Sequence, residues 1–113
     1  MAEHALLVFS TFPDAESARA ATQVMVEERL AACGNLIPQV ESIYRWEGKV
    51  ESSTEVLVIL KTTADRYQLL EQRIRSLHPY EVPEIIATQV ETGSWPYLQW
   101  IDESCAPAGL ATD

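Results

Sequence analysis

The chain is poor in several residue types that specialised proteins need. Two cysteines in 113 residues, Cys33 and Cys105, cannot make a disulfide framework, and no CxxC pair offers a metal or redox motif. Four glycines leave no glycine-rich loop to cradle phosphate. Basic residues are scarce: 8 Lys+Arg against 17 Asp+Glu give a formal net charge of −9. That excess repels phosphate rather than releasing counterions from it, which argues against nucleic acid and anionic membranes as partners. The purest apolar run, Val56 to Leu60, is far too short to span a bilayer and reads as a buried strand. With no basic segment before an apolar one at the N-terminus, the expected location is a reducing cytoplasm.

What is present describes a small globular protein. An apolar fraction of 47% with 22% charged residues is ordinary for one domain, and 113 residues can bury a core without staples. Ala5 to Ser10 has strand length and composition, and Phe12-Pro13-Asp14 breaks it, with Asp14 as an N-cap. Ala18, Ala21, Met25, Val26, Leu30 and Cys33 recur at three- and four-residue steps, predicting an amphipathic helix over 15–33 stopped by Gly34-Asn35. Cys33 is then a small buried hydrophobe.

A second strand runs from Leu36 towards Trp46, and Glu47-Gly48 is the turn of a long hairpin returning to Lys61. Thr62-Thr63 caps a second helix with Tyr67, Leu70, Ile74 and Leu77 on its apolar face, ended by Pro79. Glu84 to Val90 is a fourth strand, about 96–104 a third helix, and 105–113 a flexible tail. The order β-α-β-β-α-β over residues 1–104 is that of a ferredoxin-like α+β sandwich with an extra C-terminal helix. Many unrelated functions share that fold.

The chemistry on offer is sparse. His4 and His78 have no ligand partner at strand or helix spacing. His78 lies in His78-Pro79-Tyr80-Glu81-Val82-Pro83-Glu84, a piece stiffened by two prolines. It either hydrogen-bonds the last carbonyls of its helix or contacts a ligand or metal. Ser10 and Ser94 lack a GxSxG elbow, and the first loop, Thr11-Phe12-Pro13-Asp14, has neither the Arg nor the Gly that a phosphate-cradling enzyme of this topology uses. No catalytic residues are assigned. Tyr44, Arg45, Trp46 and Glu47 cluster at the hairpin tip, where a large aromatic either covers its own core or meets another chain.

Three blocks stand together in the chain: Glu27-Glu28-Arg29-Leu30-Ala31-Ala32-Cys33, followed at Asn35 by Asn-Leu-Ile-Pro; Ser42-Ile43-Tyr44-Arg45-Trp46-Glu47-Gly48-Lys49; and Leu77-His78-Pro79-Tyr80-Glu81-Val82-Pro83-Glu84-Ile85-Ile86. With Tyr97-Leu98-Gln99-Trp100-Ile101, they make residues 7–102 closely resemble the CutA divalent-cation tolerance protein family. The resemblance implies a ferredoxin-like subunit in a homotrimer paired along the hairpin strands. It also implies a non-enzymatic role in tolerance of copper and other divalent cations.

The Cys and the first His of a His-His-Pro that some members carry correspond here to Ser10 and Leu77, so His78 alone matches as a metal ligand and Cu(II) binding is expected to be weak. The trimer also resembles PII-type signalling proteins. That likeness implies the alternative: an inter-subunit cleft around Tyr44, Lys61, Tyr80 and Glu84 that holds a small organic ligand or a partner peptide.

Overall fold

The computed structural model describes residues 4–107. The elements are β1 (Ala5–Phe12), α1 (Ala15–Glu27), β2 (Cys33–Trp46), β3 (Lys49–Thr63), α2 (Tyr67–Leu77), β4 (Ile86–Gln89) and α3 (Trp95–Ser104). The four strands form one sheet in the order β2-β3-β1-β4, every neighbouring pair antiparallel. This is the ferredoxin-like sandwich with an added C-terminal helix. Val8 and Phe12 of β1 and Val56, Val58 and Leu60 of β3 share a sheet face, as alternate residues must, and pack against Ala18, Ala21 and Met25 of α1 and Leu70 and Ile74 of α2.

The local signals explain most boundaries. Asp14 accepts a hydrogen bond from the Ser17 N–H at 2.7 Å and so caps α1. Glu47 and Gly48 both adopt positive φ, 49° and 81°, which a two-residue hairpin turn of right-handed twist requires. His78 is extended at φ −75°, ψ 137°, as a residue before proline should be, and α2 stops there.

The helix expected to reach Cys33 ends at Glu27. Arg29, at φ 60°, turns the chain; the Leu30 and Ala31 amides both donate to the Met25 carbonyl, and Ala32 N–H already reaches Lys61 O in β3. Sheet pairing therefore claims residues whose apolar spacing suited a helix. Gly34 is not the helix stop but lies within β2, opposite Leu60. A Cβ there would collide with the Thr22 methyl group and sit 2.8 Å from Leu60 Cδ2, so glycine permits the close approach of α1 to the sheet.

Other boundaries move for similar reasons. Thr62 and Thr63 belong to β3, where both are buried and Thr62 Oγ1 donates to Leu30 O at 2.6 Å, so they cap nothing. β1 runs on to Phe12 because Thr11 and Phe12 pair with Leu57 and Val56. β4 is only four residues long. The two cysteines exchange their expected environments: Cys33 is half-buried, whereas Cys105 is buried beside Ala5, Ala32 and Ile101 at the end of α3. The expected tail thus starts as a packed helix end, and its residues 108–113 lie outside the described residues.

The second face of the sheet is left open over much of its area. Phe9 pairs with Ile59 on one side and Ile86 on the other, and Leu57 pairs with Ile37, which makes an apolar field. Tyr97 of α3 reaches only the Cys33–Lys61 end of it. Beyond a bulge at Pro38-Gln39, with Gln39 at φ 60°, the hairpin projects past the end of β1 as a ribbon of seven pairs, Val40–Glu55 to Trp46–Lys49. Ile43, Tyr44, Trp46 and Val50 on this ribbon are exposed.

Gly34→Ala should lower stability by about 1–3 kcal/mol, because the added methyl overpacks a fixed helix–strand contact. Urea unfolding monitored by circular dichroism measures it. An unchanged midpoint would mean that α1 can shift outward freely.

Candidate functional site

His78, Tyr80 and Glu55 meet where β1 ends and the chain leaves α2. Pro79 holds His78 extended, which folds its ring back over the end of β1. There the imidazole stacks on Phe12 with centroids 4.2 Å apart and planes 23° apart. Nε2 lies 2.8 Å from the Thr11 carbonyl oxygen, and Nδ1 is 3.0 Å from the Tyr80 N–H. The backbone partners fix the tautomer: Nε2 carries the proton and donates, and Nδ1 accepts. Burial lowers the His78 pKa below the ordinary imidazole value, against smaller opposing effects of the Thr11 bond and the Glu55 charge. His78 is a neutral strut between the end of α2 and the edge of β1.

The imidazole expected as a weak metal ligand is thus engaged at both of its nitrogens. With one nitrogen protonated and the other accepting a backbone hydrogen bond, the ring has no lone pair to give unless the Tyr80 bond breaks. Its expected companions do not help. Ser10 is fully buried, its hydroxyl without a hydrogen-bond partner among the described residues, and Leu77 is turned out to solvent. Among the described residues, no three His, Cys, Asp or Glu side chains converge to hold a metal ion. The donors of the described residues are spread along the chain rather than gathered for a metal.

Next to His78, the Tyr80 hydroxyl donates to Glu55 Oε2 at 2.6 Å, a short bond to a buried carboxylate. Burial first, and then the Glu55 bond and charge, push the Tyr80 hydroxyl far above its usual range, so it remains a donor. Tyr44 and Asp14 lie near enough to add to that rise. Of the cleft residues expected, Tyr80 bonds to Glu55 with Tyr44 within electrostatic range, while Glu84 is exposed in the segment before β4.

Lys61 is not part of this group. It stands six residues further along β3 than Glu55, roughly 20 Å away at strand rise. Its Nζ donates to the Tyr97 hydroxyl at 3.2 Å, beside its cross-strand neighbour Cys33, whose Sγ is 3.9 Å from the same oxygen. The Tyr97 bond raises the Lys61 pKa above its normal value. One chain alone does not assemble the four-residue cleft.

Glu55 was not singled out in the sequence, and Cys33 and Tyr97 were not read as site residues. Glu55 had a signal, since it is a carboxylate opening the apolar run Val56 to Leu60. A charge in line with a buried strand needs a partner, and Tyr80 supplies it. Tyr97 had none, because its partner Lys61 is 36 residues away.

The fold and this stacked, hydrogen-bonded end of the sheet define a ferredoxin-like domain with a long projecting hairpin. Residues 6–104 match the family model for the CutA1 divalent ion tolerance protein. The chain belongs to that family. It is 50% identical over 93 residues to Protein CutA of Homo sapiens, covering 82% of this chain and 52% of the human protein. It is 45% identical over 98 residues to the divalent-cation tolerance protein CutA of Thermus thermophilus, covering 87% of this chain and 95% of that one. The crystal structure of CutA1 from Oryza sativa superposes with a TM-score of 0.90 at 35% identity, covering 93% of this chain and 96% of the other. The chain thus spans about half the length of the human relative and nearly all of the bacterial one.

The neutral His78 strut sets a pH dependence. Its folded pKa lies below its unfolded value near 6.5, so the unfolded state takes up the proton first. Its contribution is whole above about pH 6.5 and falls as the pH drops below that value. Melting temperature should decline from pH 7 to pH 5 more steeply in the parent than in His78→Phe, which keeps the stack on Phe12. Parallel declines would show that His78 is protonated in the fold.

Proposed function

We propose that this chain acts as a non-enzymatic homotrimer in the response to divalent metal ions, in a reducing cytoplasm. The observation that carries the assembly is the uncovered apolar surface: the sheet face around Phe9, Leu57, Ile59 and Ile86, and the ribbon bearing Ile43, Trp46 and Val50. Both edges of the ribbon offer unpaired backbone groups, since β1 ends opposite Val56. Three copies pairing head to tail close such an edge into a ring, whereas an open repeat would build fibres. The metal role is supported by family membership, with divalent-cation tolerance in the name of the Thermus relative.

A tolerance role does not require a resident ion, and the geometry favours weak binding. Ligation at His78 must break the Tyr80 N–H bond and unstack a buried ring. The second reading is a ligand cleft between subunits. It has in its favour that Tyr44 lies within electrostatic range of Tyr80 beside the projecting ribbon, where a neighbouring copy could supply the groups one chain keeps apart.

Light scattering at micromolar protein should give three times the 12.7 kDa chain mass. Trp46→Ala should weaken the assembly by about 2 kcal/mol or more, as removal of a central aromatic anchor does. A monomer mass for the parent would end the trimer reading, and a Trp46→Ala trimer of parental heat stability would remove Trp46 from the contact.

Calorimetry should find Cu(II) bound ahead of Zn(II), as imidazole and oxygen donors order them, and no tighter than micromolar. His78→Ala should lose that binding. Equal copper affinity in both proteins would place the ligands elsewhere, and nanomolar affinity in the parent would contradict the engaged imidazole.

A further inference from the structure

The helix layer carries a groove apart from the His78 site and the open sheet face. It has a volume of about 410 Å³, is open along its length, and runs between the end of α1 and the outer side of α2. Leu30 and Leu69 give it an apolar lining, Arg66 and Arg73 stand along it, and Glu28 lies at the rim. Two arginines against one glutamate is a local reversal of sign in a chain with 8 basic and 17 acidic residues.

The two arginines differ in how firmly they are engaged. Arg66 Nε donates to the Arg29 carbonyl at 3.3 Å, which uses one of its five N–H donors. That carbonyl is presented by a residue at φ 60°, a conformation glycine would occupy more easily, so the turn is kept despite its cost. Arg73 makes a two-point contact with Glu28, Nε to Oε1 at 3.0 Å and Nη2 to Oε2 at 2.9 Å. Both side chains of this pair are about two-fifths exposed, so the contact is a solvent-screened surface ion pair that is easily exchanged. Glu28 thus shows what the site accepts: a carboxylate taken in fork geometry beside an apolar surface.

We infer that this groove docks an acidic peptide segment of a partner protein, whose carboxylates replace Glu28 on Arg73 and reach Arg66 while an apolar side chain lies on Leu69. Leu69 is 49% exposed, which suits it to such a contact. The open length of the groove suits a peptide better than a small enclosed anion, which would bury most of its surface in a deeper pocket. The surface lies on the helix layer, so it remains accessible when the opposite sheet face is covered.

The probe is a blocked hexapeptide of alternating leucine and glutamate, titrated by calorimetry at low salt against its leucine–lysine counterpart and against glutarate. The acidic peptide should bind with a Kd below about 1 mM and weaken as salt is raised. Arg73→Glu and Leu69→Ser should each weaken it about tenfold or more, a loss of about 1.4 kcal/mol. Leu69→Ser changes a half-exposed side chain and leaves the Arg66–Arg29 bond intact. Glu28→Gln should strengthen binding severalfold by releasing Arg73, an outcome that mere loss of structure would not produce.

No binding of the acidic peptide at 1 mM (about −4 kcal/mol) would overturn the proposal. So would equal binding of the lysine peptide, or an unchanged affinity in Glu28→Gln. Glutarate binding as tightly as the peptide would make this a small-anion site instead. A change of native mass in Arg73→Glu would mean that a second copy of the chain occupies the groove.

Discussion

Everything in this protein is hung on β3. Its fifteen residues pair with β1 over residues 56–63 and with β2 over most of its length, so its inner half has neighbours on both sides. One side of that half, Val56, Val58 and Leu60, closes the core against α1 and α2, and the other, Leu57 and Ile59, forms the open field. Both cannot be satisfied within one chain, because two short helices cover a single face. The outer half of β3 then runs beyond β1 with only β2 for company.

Two groups of hydrogen-bonded polar side chains lie at the two ends of that strand's core. At one end Glu55 would be an unpaired charge but for the Tyr80 hydroxyl, and Tyr80 is held there because its own N–H is bonded to the His78 ring. His78 in turn satisfies the Thr11 carbonyl. This relay joins the end of α2 to β1 and β3 through three hydrogen bonds and a ring stack, and removing any member leaves another polar group unsatisfied. A histidine so engaged is a structural element first. Any chemistry asked of it must begin by opening the fold locally. At the other end Lys61, Tyr97 and Cys33 tie α3 to the sheet.

Family membership and physical reading therefore meet unevenly. The chain belongs with divalent ion tolerance proteins over nearly all of its length, yet its own donor atoms are occupied or scattered. The features with most unexplained surface are instead the apolar sheet face, the ribbon and the groove flanked by arginines.

The sequence by itself determined the element order, the Asp14 cap, the Glu47-Gly48 turn and the stop at Pro79, because each rests on interactions between residues a few positions apart. It also carried the topology, since alternating strands and helices in this order admit few right-handed arrangements. What it left undecided were the features set by residues far apart in the chain. The first helix ended early because Ala32 pairs with Lys61, and Gly34 turned out to serve Thr22 and Leu60. For His78 the sequence left open a bond to its own helix's carbonyls or a ligand contact, and the fold supplies Thr11 and Tyr80 instead. Cys105 read as tail until Ile101 and Ala5 closed over it. Local pattern fixes backbone conformation, but the availability of a side chain is decided by what folds back against it, and only the tertiary structure says that.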